Sequence, residues 1–156
     1  MIELRDFRAG DEPYLRRVFE SAIHGVAIRD YSQAEVDAWA PRQFDSALWA
    51  RRVQGIAPFV VERDGAIVAY ADVQQNGYID HFFVAAAANG LGIGRRLMER
   101  IHDRAHELGI TELTSEVSRT AQPFYMHFGF EIVDRHIKQV RGVGIEYAAM
   151  RKLLRA

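Results

Sequence analysis

Short stretches in the first half of the chain alternate apolar and polar residues, which is the pattern of half-buried strands. The stretches with this period of two are residues 2–7, 59–62, 67–73 and 78–84. Asp64-Gly65 and Asn76-Gly77 separate the last three of them, and such dipeptides favour tight hairpin turns. Strands joined by tight turns pair antiparallel, so residues 59–84 are predicted to form a three-stranded meander.

Helical periodicity takes over in four other regions. Asp11 and Pro13 can start a helix whose apolar residues, Leu15 to Ile23, recur at helical spacing up to about residue 24. Within residues 25–54 two short helices are predicted, one opening at Ser32 with Glu35 at capping-box spacing, the other covering about 45–53. An apolar stripe over residues 93–108 predicts a longer amphipathic helix, and Gly109 ends it.

The last third of the chain returns to strands. Residues 110–117 are predicted to form a strand that is reached from 78–84 through the long helix, which makes these two strands parallel. A short helix at 122–128 and strands near 130–140 and 143–151 complete the chain. The pattern predicts one α+β domain over residues 1–156: a mixed, mostly antiparallel sheet with a central parallel strand pair and flanking helices.

Composition narrows the classes of protein and site. Lys plus Arg number 20 and Asp plus Glu 21 among 156 residues, a near-balance that argues against a nucleic-acid partner. The absence of cysteine excludes disulfides and thiolate metal sites, and no metal site of another kind is predicted. No apolar run approaches the roughly 20 residues of a membrane span, and residues 1–5 do not resemble a signal peptide. We expect a cytoplasmic protein with no membrane partner.

The most informative segment is a glycine-rich turn between a strand and the long helix. Its residues are Asn89, Gly90, Leu91, Gly92, Ile93, Gly94, Arg95 and Arg96. Glycines at alternate positions let a ligand approach backbone N–H groups at a helix N-terminus, an arrangement that suits a phosphate or pyrophosphate. The turn lacks the third glycine of a dinucleotide fingerprint and the Gly-Lys-Ser/Thr of a Walker loop. A turn without a ligand remains open at this point.

Two motifs together resemble the GCN5-related N-acetyltransferase (GNAT) superfamily. Val84, five further residues, the glycine turn and then Leu97-Met98 are similar to its acyl-CoA-binding motif. About 30 residues downstream, Phe124-Tyr125 followed by Gly129-Phe130 resembles its second signature. The resemblance covers about residues 57–152 and implies the GNAT fold and an acetyl-CoA-dependent N-acetyltransferase. The acceptor it implies is a primary amine of a small molecule or peptide, attacked directly in a ternary complex.

The resemblance also implies site residues. Those expected to hold acetyl-CoA are Phe82, Phe83, Val84, Asn89, Gly90, Leu91, Gly92, Ile93, Gly94, Arg95, Ser118 and Phe124. The chain departs from the family at Asn89, where Gln or Arg is usual, at Ser118, where Asn is common, and at the alanine run 85–88. Each departure loosens contacts to the cofactor, whereas the backbone donors survive.

The implied catalytic residues are Tyr125 as the acid and Asp80 as the base. A phenol with a reference pKa of about 10 can protonate a leaving thiolate, although Tyr125 can also be read as a core aromatic residue. Strand alternation predicts Asp80 on one face, and His81 on the other as a packed residue. Glu116, His81 and an ordered water remain alternatives for the base. The backbone N–H groups near Phe82 to Val84 are expected to polarise the thioester carbonyl. The strand that carries them is expected to splay away from its parallel neighbour near residues 115–118.

Acceptor selection is expected from the variable N-terminal helices and the last hairpin. Tyr31, Trp39 and Trp49 can line a pocket for a small cationic amine with nearby acids, or both tryptophans can simply cover the sheet edge. The acids considered are Asp30, Asp37 and Asp80. Residues 141–144 are interpreted as a flexible turn without chemistry. A non-catalytic acyl-CoA-binding module and a generic nucleotide-binding domain are the alternative functions, and either a monomer or a homodimer is compatible with the sequence.

Overall fold

The computed structural model describes residues 1–155, in which eight strands and five α-helices are present. The strands are β1 (Ile2–Asp6), β2 (Phe59–Arg63), β3 (Ala66–Ala71), β4 (Tyr78–Ile79), β5 (Phe82–Val84), β6 (Glu112–Ser118), β7 (Glu131–Val140) and β8 (Val143–Leu153). The helices are α1 (Glu12–Gly25), α2 (Gln33–Trp39), α3 (Ser46–Ile56), α4 (Ile93–Glu107) and α5 (Gln122–His127). Ala156, the last residue of the predicted domain, lies outside the described residues.

The strands form two four-stranded sheets. The first has the order β1-β2-β3-β5 and is antiparallel throughout. The second has the order β4-β6-β8-β7, in which β4 and β6 are parallel and the other pairs antiparallel. The predicted α+β class with a parallel pair among antiparallel strands is confirmed. The division into two sheets was not predicted.

The division falls inside the predicted strand 78–84. The chain breaks at Asp80 and His81, so that β4 stays beside β6, with Ile79 opposite Ser115, while β5 pairs with β3. Because β4 and β5 have different partners, β5 diverges from β6 beyond Ser115. We call this divergence the fork. It is the splay that the sequence analysis expected beside residues 115–118.

Helices cover both faces of the sheets. One core cluster lies under α1, α2 and α3 and includes Leu15, Val36 and Val53, each fully buried. The other lies under α4 and contains Leu97 and Ile101, equally enclosed. Buried apolar side chains on both faces are the main source of stability in such a layered domain.

Local capping explains where the short helices begin. Ser32 accepts the Glu35 N–H at 3.1 Å, and the Glu35 carboxylate accepts the Ser32 N–H at 2.7 Å, which confirms the capping box. Asp45 caps α3 by accepting the N–H groups of Ala47 and Leu48, each at 3.0 Å. Asp11 stands at the start of α1 but makes no side-chain cap, because its carboxylate instead accepts two hydrogen bonds from Arg5.

Within residues 1–155, no helix combines the length and the hydropathy that crossing a bilayer requires.

Candidate active site

The fork opens into a cavity of about 610 Å³, which we call the first cavity. Its walls come from β5, the glycine-rich turn, α5, the end of β6 and the C-terminal part of α1. Eleven of the twelve residues expected to hold the cofactor line it: Phe82, Phe83, Val84, Asn89, Gly90, Gly92, Ile93, Gly94, Arg95, Ser118 and Phe124. Leu91 is the exception, since its side chain is exposed and does not line the cavity.

The glycine-rich turn presents free backbone donors to this cavity. Gly92 has φ +76°, a left-handed conformation that L side chains rarely adopt, and it places the chain at the start of α4. The first backbone bond of the helix runs from the Arg96 N–H to the Gly92 carbonyl at 3.2 Å. The N–H groups before Arg96 therefore have no partner within the helix and form an electropositive end that suits an anionic group.

The two arginines that follow the glycines have different surroundings. Arg95 lines the first cavity, and its guanidinium lies 5.7 Å from the ring centre of Phe128. Arg96 is directed away, with its Nη1 3.5 Å from the Ile2 carbonyl oxygen. Of the adjacent pair, Arg95 alone is placed to contribute charge to the cavity.

Tyr125 forms part of the cavity wall and is almost fully buried. Its ring lies 5.9 Å from Phe82 and 5.0 Å from Phe130, in edge-to-face arrangements. Burial raises the pKa of the Tyr125 phenol well above its usual value, while the nearby Ser115 hydroxyl lowers it in part. The phenol therefore keeps its proton at physiological pH and is available as a donor.

A second cavity, of about 640 Å³, lies on the other side of the fork. It is roofed by α2, α3 and the turn between β7 and β8, and eight of its lining residues are aromatic. They are Phe19, Tyr31, Trp39, Phe44, Trp49, Tyr78, Phe83 and Tyr147. Trp39, Phe83 and Ser118 line both cavities, so the two cavities meet at these side chains.

Two carboxylates of the second cavity are engaged in ion pairs. Asp80 accepts from Arg52 at 3.2 and 3.3 Å, and Glu116 contacts Lys138 at 3.3 Å. The two cations are more than half exposed, so water screens both pairs and each carboxylate can exchange its partner.

His81 lies beside Asp80 in the second cavity, which corrects the expectation that the two side chains point to opposite faces. The break between β4 and β5 shifts the alternation, since Ile79 and Phe82 pack in the same core cluster although they are three residues apart. The packed role expected for His81 is present as well, because Tyr70 bonds its Nδ1 at 2.9 Å. Burial lowers the pKa of His81 to about 4, so the imidazole is neutral at pH 7.

The second cavity differs from the cationic-amine pocket considered in the sequence analysis. Its aromatic residues are in place, but Asp30 and Asp37 do not line it. Arg141, interpreted as part of a turn without chemistry, does line it and donates from Nη1 to the Ala38 carbonyl at 2.7 Å. Trp49 lines the second cavity and Trp39 lines both cavities.

Sequence reasoning missed the contribution of α1 to the first cavity. Ala22 and Ile23 line it, although their spacing indicated only a core stripe. The alanine run after β5 could have indicated this contribution, because its small side chains let α1 approach closely. A Cβ on Gly25 would come within 2.9 Å of the Ala86 Cβ, and the Ala86 N–H donates to Ser21 at 2.9 Å.

Asp72 is the other residue that the sequence analysis did not single out. It is 1% exposed and follows β3 directly, where it is the one charged residue of the predicted strand 67–73. Burial raises the pKa of its carboxyl group to about 6, and the charge of Asp80 contributes to the increase. Among residues 1–155, no group of three or more His, Asp or Glu side chains is arranged to hold a metal ion.

Comparison with known proteins connects this geometry to a family. A family model described as an acetyltransferase (GNAT) domain matches residues 27–154. The curated protein described as uncharacterized N-acetyltransferase YafP of Escherichia coli (strain K12) is 27% identical over 141 residues, covering 90% of this chain and 89% of that protein.

Solved structures share the fold over nearly the whole chain. A GCN5-related N-acetyltransferase from Rhodopseudomonas palustris superposes with a TM-score of 0.93 at 25% identity, over 97% of this chain and 95% of that one. YncA from Salmonella typhimurium, solved with its cofactor acetyl-CoA, superposes with a TM-score of 0.70 at 18% identity, over 100% and 95% of the two chains.

Proposed function

The chain belongs to the acetyltransferase (GNAT) family, and from this premise we propose that it transfers an acetyl group from acetyl-CoA to a primary amine of a small molecule or peptide. The observation that carries the proposal is the meeting of the two cavities at Trp39, Phe83 and Ser118. A direct transfer requires both reactants to be bound at once, with the reacting atoms about 3–3.5 Å apart. Two cavities with a common wall support a direct transfer, which needs no covalent enzyme intermediate.

The first cavity fits the cofactor. The free N–H groups at the start of α4 and the Arg95 guanidinium supply donors for the pyrophosphate. The opening between β5 and β6 leads into this cavity and is where we place the pantetheine arm. Leu91, whose side chain is exposed, has no side-chain role in this proposal. When bound, acetyl-CoA supplies a thioester whose carbonyl carbon is the electrophile.

Tyr125 is the proposed acid. It lies in the wall of the first cavity, and its phenol is protonated at physiological pH, so it has a proton to donate to the leaving thiolate. The packing of its ring against Phe82 and Phe130 fixes the direction of the hydroxyl, since a buried ring between two aromatic neighbours has few alternatives.

Asp80 is the proposed base and orients the acceptor amine. It is the carboxylate that the break between β4 and β5 presents to the second cavity, next to the shared wall residue Phe83. An ammonium group can replace Arg52 as its partner, because that ion pair is exposed on the arginine side. Glu116, which lines the same cavity, and a water molecule are the alternatives, whereas the lowered pKa of His81 makes its imidazole a weak base.

The proposal is tested by mixing the protein with acetyl-CoA and a panel of amines and following the release of free thiol. We expect turnover with at least one small-molecule or peptide amine. Binding of acetyl-CoA without thiol release across the panel would instead support a non-catalytic acyl-CoA-binding module. Binding of ATP in preference to acetyl-CoA would support a generic nucleotide-binding domain.

Replacing Tyr125 with Phe removes the proposed acid and keeps the ring. We expect kcat to fall about 10²- to 10⁴-fold, while the Kd of CoA measured by titration calorimetry stays within error. Tyr14→Phe is the matched control, because Tyr14 is exposed on α1 and lines neither cavity. Equal kcat values for the two variants would remove Tyr125 as the acid. The same assay on Asp80→Asn and Glu116→Gln identifies the base by the larger loss.

A further inference from the structure

Asp72 makes contacts that the proposed mechanism does not use. One carboxylate oxygen, Oδ1, accepts the N–H of Asp80 at 3.1 Å and the N–H of His81 at 2.6 Å. The other, Oδ2, accepts a hydrogen bond that Nε2 of Gln74 donates at 2.5 Å. The side chain is 1% exposed and lines neither cavity, so these contacts belong to the interior and not to a substrate site.

The two N–H groups that Asp72 binds are those of the break between β4 and β5. Asp80 and His81 belong to neither strand, and the ladders give them no regular pairing. A buried N–H without a partner is costly, and a chain that bends inside a sheet leaves such groups behind. The carboxylate of Asp72 satisfies two consecutive N–H groups with a single oxygen, which requires the backbone there to be bent. The Asp72 N–H also donates to the His81 carbonyl at 3.1 Å and adds a backbone link.

The bend has consequences in both cavities. It brings the side chains of Asp80 and His81 to the same cavity, where regular alternation would separate them. It also sends β5 toward β3 while β4 remains beside β6, which opens the fork. The buried carboxylate of Asp72 therefore holds the bend between β4 and β5, which lies between the two cavities.

We propose that Asp72 is a positioning residue that holds the bend between β4 and β5 in the shape that acetyl transfer needs, without contacting either substrate. The inference rests on the proposed function for its effect on turnover. The contacts on which it rests, two backbone N–H groups bound to one side-chain oxygen, can be measured without any acceptor amine.

Four variants separate positioning from general stability. Asp72→Ala removes the acceptor oxygen, whereas Asp72→Asn keeps one oxygen that can still accept both N–H groups. Gln74→Ala removes the neighbour at Oδ2 and leaves the backbone contacts intact. Met150→Ala opens a space in the buried core at a residue that lines neither cavity, and serves as the control for lost stability.

All variants are assayed well below their unfolding temperatures, with saturating acetyl-CoA and the best amine of the panel. We expect Asp72→Ala to lower kcat about 10- to 100-fold and to change the Kd of CoA by less than about threefold, because β5 stays paired with β3. Asp72→Asn, Gln74→Ala and Met150→Ala should retain most of kcat. A kcat of Asp72→Ala equal to that of Met150→Ala would overturn the positioning role.

A spectroscopic measurement tests the contacts themselves. In ¹⁵N–¹H spectra the amide protons of Asp80 and His81 should shift together as Asp72 titrates, with a midpoint near its pKa of about 6. Asp72→Asn should abolish this shared transition. The titratable and charged groups that face Asp72 and the bend are Tyr70, Tyr78, Asp80, His81, Tyr125 and, through Asp80, Arg52.

The two proposals fail in different ways. If the parent protein binds CoA but acetylates no amine, the proposed function is overturned. The amide titration then still tests whether Asp72 contacts the N–H groups of Asp80 and His81. Amide shifts in Asp72→Asn that titrate as in the parent would contradict the contacts to Asp80 and His81, whatever the activity.

Discussion

Asp72 and His81 are both almost fully enclosed, and burial moves their pKa values in opposite directions. Desolvation disfavours the charged form of each, so the pKa of the Asp72 carboxyl rises to about 6 and that of the His81 imidazole falls to about 4. Between pH 4 and 6 the folded protein therefore carries a proton on Asp72 and none on His81. The unfolded chain, with ordinary values, carries one on His81 and none on Asp72.

Because the two shifts offset each other, Asp72 and His81 together contribute almost nothing to the change of the free energy of unfolding with pH. The folded and unfolded states bind one proton each between pH 4 and 6, and stability changes with pH only where these numbers differ. Between pH 4 and 6, Asp72→Asn removes the one titrating proton of the folded state and leaves the proton that the unfolded chain binds on His81. We expect this variant to lose on the order of 2–3 kcal/mol relative to the parent as the pH falls from 6.5 to 4, measured by urea unfolding at each pH.

His81→Gln is the complementary variant and should show the opposite slope. Without the imidazole the unfolded chain binds no proton in this range, while the folded protein still binds one on Asp72. Stability relative to the parent should rise as the pH falls from 6 toward 4. Slopes of the same sign in the two variants would show that the two groups do not titrate as described.

Single residues also mark how far sequence reasoning extends. The glycine turn and Tyr125 could be singled out because each belongs to a local motif, and both line the first cavity. Asp72 was not, because an aspartate at the end of an apolar strand becomes a brace only when the facing strand bends at Asp80. That bend follows from the different strand partners of β4 and β5, which spacing along one chain does not reveal.

At the scale of elements, the first cavity depends on how closely α4 approaches α5. Gly94 lies in the first turn of α4, and a Cβ there would stand 3.2 Å from two ring atoms of Phe124 on α5. Phe124 itself packs at 5.0 Å against Phe128 and 5.4 Å against Phe82, so its ring has little freedom to move away. The absence of a side chain at Gly94 thus sets the width of the first cavity between α4 and α5, a part we call the groove, beside the free N–H groups.

Gly94→Val is expected to weaken CoA binding by at least about tenfold, because the added side chain displaces Phe124 and narrows the groove. Titration calorimetry with CoA measures the change. Gly55→Val is the matched control: it lies in α3, and a Cβ at that position meets nothing within 4 Å. Unchanged affinity in Gly94→Val would contradict the assignment of this groove to the cofactor.

The elements themselves were largely predictable. The capping box at Ser32, the turns at Gly65 and Gly77 and the stripe of α4 are local patterns, and the structure contains each of them. The strand predicted at 78–84 was wrong as a single element. Its residues suit a strand throughout, and it is broken because its two ends pair with different sheets.

At the scale of the whole molecule, the first cavity draws its walls from both sheets. β5 and α1 belong to the half built around the first sheet, whereas Ser118 and α5 come from the half that contains β6. Within residues 1–155 no strand of one sheet pairs with a strand of the other, and both core clusters take residues from both sheets. A ligand in the first cavity therefore contacts both sheets and favours the folded state.

Bound CoA should therefore raise the free energy of unfolding of the protein. A ligand at 100 times its Kd adds about 2.7 kcal/mol of stability when it binds the folded state alone, which corresponds to a Tm increase of about 5–10 °C for a chain of this size. Differential scanning calorimetry with and without CoA checks the value, and Gly94→Val under the same conditions should show a smaller shift. An increase of the same size in both proteins would place the ligand elsewhere.

The second cavity closes through contacts between distant parts of the chain. Arg141 bonds the Ala38 carbonyl across 103 positions, and the Tyr31 hydroxyl donates to the Glu146 carbonyl across 115. On the ribosome, α2 emerges long before the β7–β8 hairpin that completes this roof. The second cavity therefore cannot be complete until the last hairpin has been synthesised and has packed against α2. In the proposed function this is the cavity that receives the amine.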